Sequence, residues 1–378
     1  MTNLPATTVN AVAIASRNGN AVQSVFRVSH DSSSFGPIGY ISPVSADRLK
    51  GFIGYVGDGE GQNGRIAPIE NVTHARFMGD VVREGIRRLK STGNTRLSLR
   101  TIVSNDALET LATEVGRAGA AVEATVPVGN NYSIAYIGYN TPSRQLTQER
   151  RDAQEAAIKN VRQTYEDSPA AIRSLAHDIL SHSNQYTIRI VDGQSRSFSE
   201  QESAGIASLL STFGYDANGA ESLVSNGHNI VGLVYQNVAN RQTVVGISIT
   251  ERRTIALSNG QAVQIAEITD GTVSEAANGR SLYSRLLSNV FEHISQNCPE
   301  LAVIYAESNV ASDALLKAAA IQGRSFGGVL PNHARIMNRR TGELELKSLA
   351  VTSLTREQVI ASARRLGEAM AIQQAIRD

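Results

Sequence analysis

The chain has 378 residues, long for one domain and comfortable for two, and 41% of them are hydrophobic, enough for real cores. With 36 basic against 35 acidic residues, it carries no electrostatic footprint for nucleic acid or an anionic membrane. A single cysteine, Cys298, excludes an internal disulfide and fits a reducing, cytoplasmic setting; no signal-peptide pattern or membrane-spanning run (~20 apolar residues) is evident, and the absence of Trp argues against a base- or sugar-stacking platform.

In chain order, residues 1 to about 25 are small and polar, a strand or an ordered arm. Glycines crowd residues 35–64, and the run Gly57-Asp-Gly-Glu-Gly-Gln-Asn-Gly64 has two acids and no Lys, which reads as a hairpin or surface loop rather than a phosphate cradle. Ile66–Ile69 reads as a strand, Val81–Leu89 as a helix with Val82, Ile86 and Leu89 on one face, and Leu97–Val103 as a strand. A helix opens near Ser104-Asn-Asp-Ala-Leu108, and a strand ends at Pro127. Thr141–Gln185 links two halves. It holds a charged stretch, Leu146–Tyr165, that either packs across both or is a solvated spacer, and a helix with Ile172, Leu175, Ala176 and Ile179 on one face.

The second half opens on a strand, Tyr186–Val191, and a helix whose Ser199 and Glu202 form a capping box. A hairpin joins Ile230–Gln236 to Thr243–Thr250, and Ala262–Asp270 is a central strand. The turn Asn278-Gly-Arg-Ser281 then feeds a helix with Leu282, Leu286, Leu287, Val290, Phe291 and Ile294 on one face. Small residues before a helix start leave backbone N–H groups pointing one way, an arrangement that binds phosphate. A strand (Leu301–Glu307), a helix (Ser312–Gln322), two closing strands (Arg335-Ile336, Glu345–Thr352) and a tail helix (Arg356–Ile376) follow. The tail helix offers Val359, Ala363, Leu366, Met370 and Ile372 for packing.

The halves echo one another. Ile66-Ala-Pro-Ile69 matches Ile265-Ala-Glu-Ile268, Ser104-Asn105 matches Ser308-Asn309, and both following helices close on Gly-Arg, at Gly116-Arg117 and Gly323-Arg324. The reading is an α/β (mixed-sheet) chain of two tandem related domains: 1–140, a helical linker 141–185, 186–355, and a C-terminal helix 356–378.

The string Val273-Ser-Glu-Ala-Ala-Asn-Gly-Arg-Ser-Leu282 resembles the coenzyme loop of the Gcn5-related N-acetyltransferase (GNAT) superfamily, Val-x-Pro-Glu-x-Arg-Gly-x-Gly-Leu, over roughly residues 186–354. It departs from that pattern at Asn278, at Ser281 in place of the central Gly, and at Tyr283 in place of a small residue. Glu267-Ile-Thr-Asp270 and Gly327-Gly-Val-Leu-Pro-Asn332 are similar to strings in amino-acid (β-lysine-type) acetyltransferases.

The resemblance implies an active second domain beside a degenerate first one, acetyl-CoA or another acyl-CoA as cofactor, and a splay between two parallel strands that takes up the pantetheine arm. Cofactor contacts then fall to Ile268, Val273, Asn278, Gly279, Arg280, Ser281, Leu282, Tyr283, Asn309 and Ser312. Glu267, a carboxylate among apolar neighbours, is expected to have a raised pKa and to act as base. Glu307 and Asn309 are the other catalytic candidates, and Asp270 and His333 the acceptor contacts. The superfamily's usual Tyr acid is missing, so Tyr305, Tyr283, His333 or water must replace it. No histidine spacing suggests a metal.

These residues predict an acyl-CoA-dependent N-acyltransferase acting by direct attack on a small amino-acid-like amine, with no nucleic-acid or membrane partner and a possible homodimer. The alternatives are a tRNA-dependent aminoacyl ligase of the peptidoglycan-bridge type and a non-catalytic binding protein of the same fold.

Overall fold

The computed structural model describes residues 7–12, 25–30, 39–43, 52–56 and 68–69, helical positions between 75 and 87, and 96–377 apart from 143–144, 167, 193–197, 214, 239–240, 257–261, 278–279 and 338–343. The glycine run 57–64 lies outside them.

The first half supplies β1 (Thr7–Val12), β2 (Val25–His30), β3 (Gly39–Pro43), β4 (Phe52–Val56), β5 (Pro68–Ile69), β6 (Arg96–Ser104), α1 (Asn105–Arg117), β7 (Ala121–Val128) and β8 (Tyr132–Asn140). Two helices follow, α2 (Gln148–Tyr165) and α3 (Pro169–Ser181). The second half supplies β9 (Tyr186–Asp192), α4 (Glu200–Leu210), α5 (Ala217–Val224), β10 (Asn229–Val238), β11 (Arg241–Ala256), β12 (Ala262–Val273), α6 (Leu282–Asn297), β13 (Leu301–Asn309), α7 (Asp313–Ile321), β14 (Ser325–Met337), β15 (Leu344–Thr355) and α8 (Arg356–Arg377).

One mixed sheet runs β1-β2-β3-β4-β6-β8-β7-β14-β15-β13-β12-β11-β10-β9, with β5 beside β6. The same connectivity occurs twice. In each half four strands meander antiparallel, a parallel neighbour follows (β4–β6, β12–β13), and two antiparallel strands close with the later one inside (β8 then β7, β15 then β14).

The halves meet where β7 pairs with β14 at Gly328↔Ala124. Two glycines permit this approach. A Cβ on Gly327 would overlap the Thr125 carbonyl oxygen, and one on Gly328 would lie 2.8 Å from Ala124 Cα. Gly328 also has φ +143, a region L-residues avoid. Asn332, four residues on, is left-handed at φ 45 within the bulge between Leu330 and Ala334. The sheet faces then pack on one another, Ile102, Val126 and Ile134 of the first half against Ile265, Val303 and Val351 of the second.

Helices cover the outer faces. α6 buries Leu282, Leu286, Leu287, Val290, Phe291 and Ile294, as its period predicts. α3 buries Leu175, Ala176 and Ile179 against Leu366 and Ala369 of α8. The tail helix departs from expectation at Ile372, which is 57% exposed, because Val359, Leu366 and Ala369 already fill the contact face. α2 packs Ile158 against Val310 and Leu316 near α7, so the charged stretch is a packed helix and not a solvated spacer. In the first half, Val82 and Ile86 are buried with Met78 against Leu97 and Leu99. Cys298 is buried and its thiol is pushed up by burial, which disfavours a reactive thiolate.

Gly328→Ala should destabilise the chain by about 2–4 kcal/mol, the sum of a positive φ denied to Ala and overpacking at the β7–β14 seam. Urea unfolding measures this. A loss below about 0.5 kcal/mol would mean that the seam does not depend on the close approach.

Candidate active site

The parallel pair β12–β13 is bonded from Gln264↔Leu301 to Ile268↔Ala306 and no further, although both strands continue. Beyond that point β12 follows β11 (Gly271↔Ser248, Thr272↔Ile247, Val273↔Gly246), and β13 follows β15 (Glu307↔Val351, Ser308↔Ala350, Asn309↔Leu349). A bulge between Ser248 and Thr250 bends β12 where they part. The facing edges of Thr269–Val273 and Glu307–Asn309 are therefore open, the expected splay. An open strand edge can accept an extended amide-bearing chain as an added strand would. Ile268, expected to touch a cofactor, is instead the last paired residue, so its main chain belongs to the ladder. In the first half, β6 pairs with β4 at Arg96–Ser98 and with β5 at Ile102 and Val103, so the corresponding edge is covered.

The start of α6 adjoins this splay. Ser281 is its N-cap in a left-handed conformation, φ 51, and its side chain does not cap the helix. The left-handed region suits glycine, which is what the superfamily pattern carries here. The first intrahelical bond joins Arg285 N to Ser281 O at 3.0 Å, so the amides of 282–284 have no intrahelical partner. Arg285 Nη1 is buried without a hydrogen-bond partner, and burial lowers its pKa.

Other features of the loop fit an anion less well. The Ser281 hydroxyl donates to Asp178 Oδ2 of α3 at 2.9 Å, which sets a carboxylate beside the helix start. Arg280 donates to the Tyr186 hydroxyl and stacks 5.6 Å over its ring. Leu282 and Val273 are buried in the core with Val245 and Leu286, so their side chains are structural. Asn278 and Gly279 lie outside the described residues.

Tyr283 lies against Gly271 of the open edge, where a Cβ would be 2.8 Å from its Cζ; burial raises its pKa. Asn309 Oδ1 accepts from Ala311 N at 3.0 Å, and Ser312 N donates to the Asn309 carbonyl at 3.0 Å. Asn309 thus shapes the turn into α7, and Ser312 is an N-cap without a side-chain capping bond.

The carboxylates gather on the face turned toward the first half. Arg100 Nη1, from β6, donates to Glu267 Oε2 at 2.5 Å and to the Tyr305 hydroxyl at 3.0 Å, and lies 4.0 Å from Glu307 Oε1. Tyr305 donates to the same Glu267 oxygen at 3.1 Å, and Arg253, paired with Glu251, is 3.9 Å away. Glu267 therefore reverses the expectation. Burial pushes its carboxyl up, but Arg100 and then Arg253 more than offset this and hold it below the usual carboxylate range. Glu307 goes the other way. Burial raises it, Arg100 lowers it only in part, and Glu267 raises it further. Two carboxylates pushed apart in this way divide into an ion and a proton-exchanging group. Glu307 is also the more accessible, with 18% of its side chain exposed against 8% for Glu267.

His333 joins the cluster. Its Nδ1 accepts from Arg96 Nε at 3.2 Å and Nη2 at 3.0 Å, and its Nε2 lies 3.8 Å from Glu307 Oε2. A guanidinium only donates, so Nδ1 carries no proton and Nε2–H faces Glu307. Asp270 does not join: its Oδ2 accepts from Tyr215 in the α4–α5 connection at 2.8 Å, and it is 2% exposed. Sequence reasoning missed Arg96, Arg100 and Tyr136, whose ring lies 5.6 Å under the Arg100 guanidinium. The available signal was alternation, since Arg96, Ser98 and Arg100 share one face of a strand whose other face holds Leu97 and Leu99.

No protein-family profile and no curated protein matches the chain. Among solved structures it is similar to Arabidopsis thaliana NAA60 in complex with a bisubstrate analogue, at 10% identity and TM-score 0.36 over 45% of this chain and 99% of that one. The NatC complex bound to Gag peptide and CoA gives 12% and 0.35 over 45% and 98%. The ribosomal-protein-S18-alanine N-acetyltransferase from Escherichia coli gives 12% and 0.33 over 45% and 94%.

Arg100→Met should cost about 3–5 kcal/mol near neutral pH, the price of leaving Glu267 charged and buried without its partner. Because the Glu267 pKa is depressed in the native protein, its contribution is present above the unfolded value and lost as pH falls through the folded one. The gap between native and variant proteins should narrow toward acid, and Glu267→Gln in the variant background should restore much of the loss. Denaturation at pH 7 and pH 4 measures both; an unchanged gap would reduce Arg100 to a packing residue.

Proposed function

We propose that the chain is an acyl-CoA-dependent N-acyltransferase whose acceptor is a small amino-acid-like amine, with residues 186–355 carrying the site and 1–140 a degenerate partner. The observation that carries this reading is the splay of β12 and β13 past Ile268↔Ala306 beside an uncapped α6 start. When bound, the coenzyme supplies an acyl group activated as a thioester. The open edge of Thr269–Val273 would pair with its amide-bearing arm, and the amides of 282–284 with Arg285 would face its phosphates.

Glu307 takes the proton from the acceptor amine at a carboxylate oxygen. Its raised pKa brings its basicity nearer to neutrality. His333 Nε2 lies 3.8 Å from Glu307 Oε2, close enough to bias the carboxyl's charge without a direct hydrogen bond. Glu267 stays ionised, held by Arg100 and Tyr305, and keeps negative charge next to the place an ammonium enters. Tyr283, kept protonated by burial beside Gly271, would supply the proton for the leaving sulfur.

A non-catalytic binding role is the second reading, favoured by Asp178 at the helix start. Titration of acetyl-CoA separates the two, because the non-catalytic reading requires no binding. Since β5 covers the equivalent edge of the first half, the acyltransferase reading requires one coenzyme per chain. A calorimetric stoichiometry near two would refute the division of labour.

Glu307→Gln should lower turnover by about 10²–10⁴-fold with coenzyme affinity little changed. In the native enzyme turnover should fall as pH drops through a value above the ordinary carboxylate range, because the base form is lost there. The variant should lack that limb. A variant that keeps a third of native turnover from pH 6 to 9 would move the role elsewhere.

A further inference from the structure

We propose that a cleft at the seam between the halves is a second ligand site, taking a free amino acid or dipeptide by both charges of the zwitterion. The cleft lies where β7 and β14 diverge from their single pair at Gly328↔Ala124, with α2 along one wall. Its volume is about 370 Å³, in the range of small-metabolite pockets.

Three residues of α2 line it at i, i+3 and i+4, so they share one helix face: Arg151, Gln154 and Glu155. Gln154 Oε1 is buried and has no hydrogen-bond partner. A buried acceptor left unpaired is costly, and a ligand N–H removes that cost. Arg151 and Glu155 lie at the rim without a close ion pair to each other, and Arg151 is near enough to the lining Glu123 to lower its carboxyl. One cation, one anion and one acceptor thus face a common space.

The floor adds no net charge. Glu123 is held by both terminal nitrogens of Arg96, at 2.5 and 3.2 Å, and Asn140 Oδ1 accepts from Arg96 at 3.0 Å. The remaining Arg151 and Glu155 match one carboxylate and one ammonium. Arg151 and Glu155 are exposed, so a ligand with only one charge would leave the other group to water. This is not the acceptor position, because Arg96 and His333 stand between the cleft and Glu307.

The test is calorimetry on the full chain without coenzyme, so its outcome is independent of acyl transfer. The probes are L-glutamine and glycylglycine, with n-butylamine and butyrate as single-charge analogues. The zwitterions should bind, and the analogues should bind at least tenfold more weakly. Arg151→Ala and Gln154→Leu, both on the α2 surface toward the cleft, should each weaken zwitterion binding tenfold or more. Glu307→Gln should leave it unchanged. Absence of zwitterion binding overturns the proposal. So does equal binding of an analogue, or binding that survives the α2 substitutions and disappears in Glu307→Gln.

Discussion

The guanidinium of Arg100 is the contact on which the rest of the candidate site depends. It crosses from the first half into the second and meets Glu267, Tyr305 and Glu307 within one buried space. Burying a carboxylate without a partner is prohibitive, so the second half could not carry Glu267 on this face unless the first half covered it with a cation. The same cation makes the two carboxylates unequal. It sits at hydrogen-bond distance from one and at 4.0 Å from the other, and the charge fixed on Glu267 then favours a proton on Glu307.

This gives the two halves complementary roles on a common connectivity. In the second half the parallel pair opens, so that β12 and β13 no longer pair with each other past Ile268↔Ala306. In the first half the short β5 lies against the end of β6 and satisfies the corresponding edge. A covered edge frees the opposite face of β6 to serve as a wall, and the wall carries Arg96 and Arg100 at positions that point across the seam. Gly327 and Gly328 are the local condition for it, since larger residues would hold β14 away from β7 and withdraw both arginines.

Much of the second half was legible in its sequence. The buried stripe of α6, the capping box of Ser199 and Glu202 and the β10–β11 hairpin follow from local period and turn chemistry, whereas the splay was expected only from the family resemblance. What was not legible is what depends on pairing between distant residues. Glu267 sits between Ala266 and Ile268 in the chain, which suggests a carboxyl resisting ionisation. In space its neighbours are Arg100 and Arg253, and the sign of the shift reverses. Strand alternation explains the error, because Ala266 and Ile268 point to the opposite face, into the core with α6. Asp270 was misassigned for a related reason: the bulge after Ile268 breaks the alternation and sends it to Tyr215.

The start of α6 departs in letters from the pattern that it resembles, most plainly at Ser281. The pattern's glycine is Ser281 here, and the residue still takes the left-handed conformation that glycine would take without strain. The hydroxyl that comes with serine then reaches Asp178 in the linker. A carboxylate there is favourable in the absence of other anions, since the helix dipole and the uncapped amides welcome negative charge. On the acyl-transfer reading, a coenzyme phosphate must compete with that carboxylate or displace it. Asp178 belongs to α3, whose buried face is anchored on α8, so displacement would work against the packing of Leu175 and Ile179 on Leu366. Coenzyme affinity would then be set by how firmly the linker holds α3, as well as by the loop itself.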